Sequence, residues 1–339
     1  MYDTRTPITP NNLPNGISAA QLRREDLPEV LALVHAREIA VSGEPRETIG
    51  FVAEQLDTDA GRKRTRSLVL RHDSDVIAYV FDHHNLNERY WSDVVIDPSL
   101  GKDQAAALWR CALTWIEAVS FDDARGRQVD HIRIDISTNG SDSSSLTNLA
   151  AHGFERVRAF IDMRIDLATY EAPEPATELT IRLADVSDRD GADVRTVYDI
   201  VQASFQDHFD WATRDFDEWV AMRMLGSHAQ LDNWTIAMID GIPVGAAIHD
   251  AHRVEAAQSW YIANLGVLRS GRGRGVAKAL LHDSFRRAQA AGCTGVELDV
   301  DAESPTGATY LYESVGMHRT ATWWDYQKHY NVLPMSTSG

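Results

Sequence analysis

Residues Asn264 to Leu281 read Asn-Leu-Gly-Val-Leu-Arg-Ser-Gly-Arg-Gly-Arg-Gly-Val-Ala-Lys-Ala-Leu-Leu. An apolar strand runs into a turn rich in glycine and arginine, and the turn opens directly into an amphipathic helix. The first amide N–H groups of a helix have no intrahelical partner, so several donors converge there beside the positive end of the helix dipole. Gly273 and Gly275 remove side chains that would hold a linked pair of phosphates away from those donors. Arg272 and Arg274 add positive charge to a chain that is otherwise acidic. A solvated Gly/Arg turn is the plain alternative, and the strand-turn-helix setting counts against it. Two familiar phosphate loops are excluded: no Gly-Lys-Ser/Thr follows, and there is no GxGxxG set with an acidic residue beyond it.

The rest of the chain bounds what such a cradle serves. With 339 residues, 44% of them hydrophobic, the chain is too long for one core and suits two domains of roughly 150 residues. Acidic residues outnumber basic ones 50 to 33, for a net charge of -17. That balance repels a phosphate backbone and argues against nucleic acid or an anionic membrane as partner. Cys111 and Cys293 supply neither a disulfide framework nor a four-thiolate zinc site. No stretch approaches the roughly 20 apolar residues of a membrane span, and the first residues lack the basic start and apolar run of a signal peptide. A soluble protein of the reducing cytoplasm is the simplest expectation; the oligomeric state is not legible.

Residues 1–17 carry Pro7, Pro10, Pro14 and Gly16 and read as a tail. A first domain is expected over 18–170. It holds a helix opening at Asp26-Leu27-Pro28-Glu29, strands over Leu68–Leu70 and Val76–Phe81, a strand near Trp91–Ile96 leading into a helix, and a strand over Asp130–Ile136. The segment 171–178 (EAPEPATE), with two prolines and three glutamates, disfavours helix and sheet and reads as a connector. A second domain over 179–330 repeats the order, with Asp240-Gly241 as the turn of a hairpin, and 331–339 form a C-terminal tail. Leu146–Phe154 and Thr309–Met317 both give a short helix ending in Gly plus an apolar residue, so two copies of one α/β unit account for the length.

Arg272-Gly273-Arg274-Gly275-Val276-Ala277 resembles the acyl-coenzyme A signature of the GCN5-related N-acetyltransferases (GNAT), Arg/Gln-x-x-Gly-x-Gly/Ala. The resemblance continues through Asp301 to Met317, where Leu311-Tyr312-Glu313 and Gly316-Met317 are similar to the family's Leu-Tyr-Glu and Gly-Phe. Phe205-Gln206-Asp207-His208-Phe209 resembles a marker of the tandem, mycothiol-synthase-like branch. The likeness covers about residues 180–327; in the first half it extends to overall order only. It implies an α/β fold (α+β in some schemes) of two tandem GNAT-like domains, each a mixed central sheet flanked by helices.

The resemblance also implies acetyl-CoA as cofactor, with coenzyme A as product. Its pyrophosphate would lie on the amides from Arg272 to Ala277, and its pantetheine arm along Leu265, Gly266 and Val267 at a splayed strand edge. A primary amine of a small molecule then attacks the thioester directly, and Tyr312, at the Leu-Tyr-Glu position, protonates the departing thiolate. A core tyrosine in an amphipathic helix is the plain alternative for Tyr312. Ser304 stands where Asn is common and either bonds the coenzyme or caps a helix at Pro305. For the acceptor side, period-two alternation places Glu297, Asp299 and Asp301 on one face of a strand. These carboxylates line an acceptor cleft or mark a solvated sheet face. Asp207, His208 and Tyr261 are further acceptor-side candidates.

At the matching junction the first half reads Val95-Ile96-Asp97-Pro98-Ser99-Leu100-Gly101-Lys102-Asp103, without the Arg or the second Gly, and Leu149 stands where the second half has Tyr312. Asp103 would repel a pyrophosphate. The first domain is therefore expected to be degenerate and catalytically silent. Asp82-His83-His84 has no diagnostic metal-ligand spacing, and no metal is expected. The reading that competes with an N-acetyltransferase is an acyl-CoA-binding sensor that kept the cradle and lost turnover.

Overall fold

Alternating apolar residues build the strands, and the strands of each unit take helices on both faces. The structure, a computed structural model, describes residues 10, 13–54, 56, 65–84, 88–173, 179–206, 208–224, 231–250, 258–304 and 307–332. These form two compact units: one comprises residues through Ala159 together with those from Trp323 onward, the other Phe160–Thr322.

The first unit contains β1 (Ile17–Ala20), α1 (Leu27–Ser42), α2 (Ile49–Glu54), β2 (Thr65–His72), β3 (Asp75–His84), β4 (Arg89–Ile96), α3 (Lys102–Gly126), β5 (His131–Asn139) and α4 (Ser143–Ala151). Its strand order is β1-β2-β3-β4-β5-β12, where β12 spans His318–Asn331. The pairs are antiparallel except β4 with β5. Leu68 and Leu70 pack with Leu108, Ala112 and Ile116 of α3, whereas Val69 between them packs with Val30 and Leu33 of α1. One strand thus feeds two cores because successive side chains leave opposite faces.

The second unit takes Phe160–Asp166 of β6 (Glu155–Asp166) and continues with β7 (Leu179–Leu183), α5 (Ala192–Phe205), α6 (Phe216–Met224), β8 (Thr235–Ile239), β9 (Ile242–Asp250), β10 (Ser259–Val267), α7 (Val276–Ala290), β11 (Gly295–Asp301) and α8 (Ala308–Glu313). Its order is β6-β11-β10-β9-β8-β7, antiparallel except β10 with β11. The α5 core joins Val197 and Ile200 to Ile236, Ala246 and Ile248; on the other face Leu280 of α7 packs with Ala237, Val244 and Ala247. Asp240 (φ 51) and Gly241 (φ 76) make the expected hairpin turn in the left-handed region.

The packing does not divide at the connector. Trp323–Asn331 pair with β5 in the first unit, and Phe160–Asp166 pair with β11 in the second. Each unit takes a strand from the opposite half of the sequence, so the expected bounds of 18–170 and 179–330 give way to divisions inside β6 and β12. Residues 174–178 of the connector and 333–339 of the C-terminal tail lie outside the described residues, as does most of the N-terminal tail, from whose end β1 begins at Ile17. Among the described residues, no helix is long and apolar enough to cross a membrane.

Candidate active site

The Gly/Arg turn has the geometry its sequence dictates. A 3-10 turn, Arg269–Gly271, brings Gly271 against Val244, where an added Cβ would lie 3.0 Å from the valine Cβ. Gly273 (φ +73) and Gly275 (φ +77) occupy the left-handed region, and the space beside each is open. Gly275 is the N-cap of α7, with no side chain capping it. The first bond of this helix runs from the Ala279 amide to the Gly275 carbonyl (3.0 Å), which leaves the amides of Val276, Ala277 and Lys278 without an intrahelical acceptor.

A cavity of about 780 Å³ in the second unit is walled by this turn, by β10, by β11 and by α8. It exists because two strands part. β10 and β11 share a parallel ladder only from Ser259–Gly295 to Tyr261–Glu297, while β10 remains bonded to β9 through Val267 and β11 remains bonded to β6 through Asp301. Beyond Tyr261, Asn264, Leu265 and Val267 face the opening from one side and Leu298–Asp301 from the other. A bulge between Ile262 and Asn264 turns the β10 edge at this point.

The walls fit an acyl-coenzyme A. The unpaired helix amides suit a pyrophosphate, and the unladdered edge of β10 suits the amides of a pantetheine arm. Two buried side-chain atoms in the wall, Asn264 Oδ1 and Ser204 Oγ, have no hydrogen-bond partner, and neither does Trp211 Nε1 at the aromatic end. Orphaned polar atoms cost stability unless a ligand or water meets them.

Tyr312, on the last turn of α8, is 8% exposed and lines the cavity. Burial raises its phenol well above the ordinary range, and the Asp299 carboxylate adds to the shift. The hydroxyl therefore holds its proton throughout the neutral range. Asp299 is exposed on β11, and Asp301, which the alternation also placed on that face, lines the cavity beside it. Phe205, His208 and Trp211 form an aromatic wall, the Phe205 ring centred 4.4 Å from His208 and 5.5 Å from Trp211. The His208 amide donates to the Phe205 carbonyl (2.9 Å) and continues the end of α5.

Several expected residues lie elsewhere. Glu297 does not reach the cavity: it is 2% exposed and accepts from Arg164 Nη1 and Ser259 Oγ, both at 2.7 Å. Tyr261 shares the last rung with Glu297 and does not line the opening. Gly266 faces α5, with an added Cβ 3.1 Å from Ser204 Oγ. Of the two turn arginines, Arg272 lines the cavity and Arg274 does not. Ser304 forms a turn in which its amide donates to the Asp301 carbonyl and its carbonyl accepts from Gly307. It does not cap the helix, because α8 starts at Ala308 with Gly307 as N-cap. Asp207 lies outside the described residues. Asn264, a polar residue inside an apolar strand, and Ser204, a small polar residue in the core-facing stripe of α5, are the functional candidates that sequence reasoning missed. Among the described residues, no group of three metal-ligating side chains converges.

Comparison with known proteins agrees with this geometry. Residues 194–317 match the Acetyltransferase (GNAT) family. A GCN5-related N-acetyltransferase from Sphaerobacter thermophilus is similar in structure, with a TM-score of 0.77 and 25% identity over 95% of this chain and 98% of that one. A tandem GNAT protein from the clavulanic acid biosynthesis pathway superposes with a TM-score of 0.69 at 12% identity, covering 94% of this chain and all (100%) of that one. The glucosamine N-acetyltransferase region of a fungal multi-domain GH3 beta-N-acetylglucosaminidase gives 0.65 at 15% identity, over 93% of this chain and 38% of that one. A search of curated proteins finds no match. The chain has the α/β fold of the GNAT acetyltransferases, a mixed sheet flanked by helices. It is an enzyme, an acyltransferase of the acetyl-CoA-dependent kind that this fold carries.

Proposed function

We propose that the second unit transfers an acetyl group from acetyl-CoA to a primary amine of a small molecule, and that the first unit, a degenerate copy in a tandem arrangement, does no chemistry. The parting of β10 and β11 beyond Tyr261 and Glu297 carries this reading, because one opening is lined both by the first residues of α7 and by Tyr312.

When bound, acetyl-CoA supplies an activated thioester. Val276, Ala277 and Lys278 would offer their amides to its phosphates, and Arg272 would add charge there. The β10 edge from Asn264 to Val267 orients the arm. Tyr312 Oη holds a proton and would supply it to the leaving sulfur of the thioester. Asp299 is placed to attract a cationic amine and to accept its proton, directly or through water; His208 is the neighbouring imidazole. Direct attack needs no enzyme nucleophile. The first unit supports the assignment by contrast: its helix α3 starts after Gly101 at an ordinary φ of -62, carries Asp103 in the first turn, and has buried Leu149 in α4 where the second unit has Tyr312.

The test is Tyr312→Phe. Turnover with a screened amine is expected to fall about 100-fold, with acetyl-CoA affinity unchanged by calorimetry. Unaltered turnover overturns the acid role. A wild-type protein that binds acetyl-CoA and acetylates nothing across an amine library, read by product mass, overturns the transfer assignment.

A further inference from the structure

In the first unit the equivalent of the coenzyme opening exists and is filled by an arginine. β4 and β5 share a parallel ladder only from Arg89–Arg133 to Ser92–Ile136, the counterpart of the short ladder between β10 and β11. Just past its last rung stand Asp93 on β4 and Thr138 on β5. Arg37, projecting from α1, spans them: Nη1 lies 3.7 Å from Asp93 Oδ1, and Nη2 donates to Thr138 Oγ1 at 3.2 Å. Its Nε donates to Asp142 Oδ2 at 3.0 Å, and Asp142 in turn caps α4 by accepting from the Ser145 amide at 3.0 Å. Burial pushes the Asp142 carboxyl up, but the Arg37 guanidinium and the Ser145 hydroxyl and amide outweigh it and hold it below the ordinary carboxylate range. The guanidinium thus crosses the gap and ties both strands to the helix beyond.

The register of the two helices shows what replaces it. Leu27, Val30, Leu33 and Val34 of α1 are buried with the same spacing as Val194, Val197, Ile200 and Val201 of α5. The next core-facing position, three residues on, is Arg37 in α1 and Ser204 in α5. Ser204 lines the open cavity, is 8% exposed, and has an unpartnered hydroxyl. Matching places on matching helices therefore carry a long cation where the opening is bridged and a short side chain where it is clear.

We infer that Ser204 is a coenzyme-determining residue: its small size keeps the β10–β11 opening free for acetyl-CoA, while Arg37 plugs the β4–β5 opening and limits the chain to one coenzyme. This rests on the coenzyme reading of the second unit, and the experiment separates the two. Isothermal titration of the full chain with acetyl-CoA is expected to give one site. Two sites overturn the plug, and no binding overturns the coenzyme reading itself. Ser204→Arg is expected to weaken binding at least 100-fold with the circular dichroism spectrum unchanged. Ser204→Met, long and uncharged, carries the test if the arginine variant does not fold. Binding by a folded Ser204→Arg or Ser204→Met protein within threefold of wild type overturns the inference.

Discussion

Arg164 Nη1 lies 2.7 Å from Glu297 Oε1, an ion pair whose carboxylate is sealed inside the sheet between β6 and β10. The same oxygen accepts from Ser259, so this glutamate joins three adjacent strands. Removing Glu297 takes the acceptor from the Ser259 hydroxyl and leaves Arg164 with Asp166 and Thr294. Glu297→Ala is expected to lower unfolding stability by about 3 kcal/mol in chemical denaturation. The KM for the amine is expected to stay within twofold, because the side chain does not face the cavity. A raised KM with unaltered stability would return Glu297 to the acceptor site.

Gly275 does two things that an alanine cannot. At φ +77 a Cβ costs about 1–2 kcal/mol, and it would stand in the open space beside the first amides of α7. Gly275→Ala is expected to lower the melting temperature modestly and to weaken acetyl-CoA binding about tenfold or more, the scale of a lost charge-assisted hydrogen bond. Calorimetry with acetyl-CoA and a thermal melt of the free protein read the two effects apart.

His249 is buried in the second unit, with Nδ1 2.8 Å from the Asn233 carbonyl and Nε2 2.8 Å from the Ser284 hydroxyl. Burial lowers its pKa from 6.5 to about 4. Between these values the unfolded chain takes up a proton that the folded chain refuses, so stability is full above pH 6.5 and is lost as pH falls toward 4. Denaturation curves across this range are expected to show a loss of a few kcal/mol, and His249→Gln to flatten it.

Asp82 in the first unit has the opposite dependence. It accepts from Ser92 (2.8 Å) and Ser120 (3.2 Å) on one oxygen, its other oxygen has no partner, and burial lifts its pKa from 3.8 to about 7. The folded state keeps a proton that the unfolded state releases, so stability declines as pH rises from 3.8 to about 7 and then levels. Asp82→Asn is expected to remove this decline and to raise the melting temperature at pH 8 more than at pH 4.

The Gly/Arg turn was legible because its chemistry is local: positive φ, absent side chains and a helix start are all written within a few consecutive residues. Asp240-Gly241 and the long helices were legible for the same reason. Pairing partners were not. Glu155–Asp166 carries six acidic or basic residues, three on each side of its apolar centre, which hides a strand whose neighbours are far away in sequence. The fate of Glu297 likewise turned on Arg164, whose distance along the chain gives no periodic signal. Alternation groups Glu297, Asp299 and Asp301, but it carries no information on how far along the strand the ladder with β10 persists. That distance separates a sealed carboxylate from one at the cavity.

The exchange of strands between the halves sets an order on biosynthesis. A ribosome delivers β12 after the other described strands, and β12 pairs with β5, which emerges much earlier. The N-terminal unit must wait, with the flank of β5 uncovered, until translation has passed Asn331. A gene cut within 171–178 would yield two fragments, each short of one strand of its unit, and co-expressing both pieces would be the route to recovering the assembly.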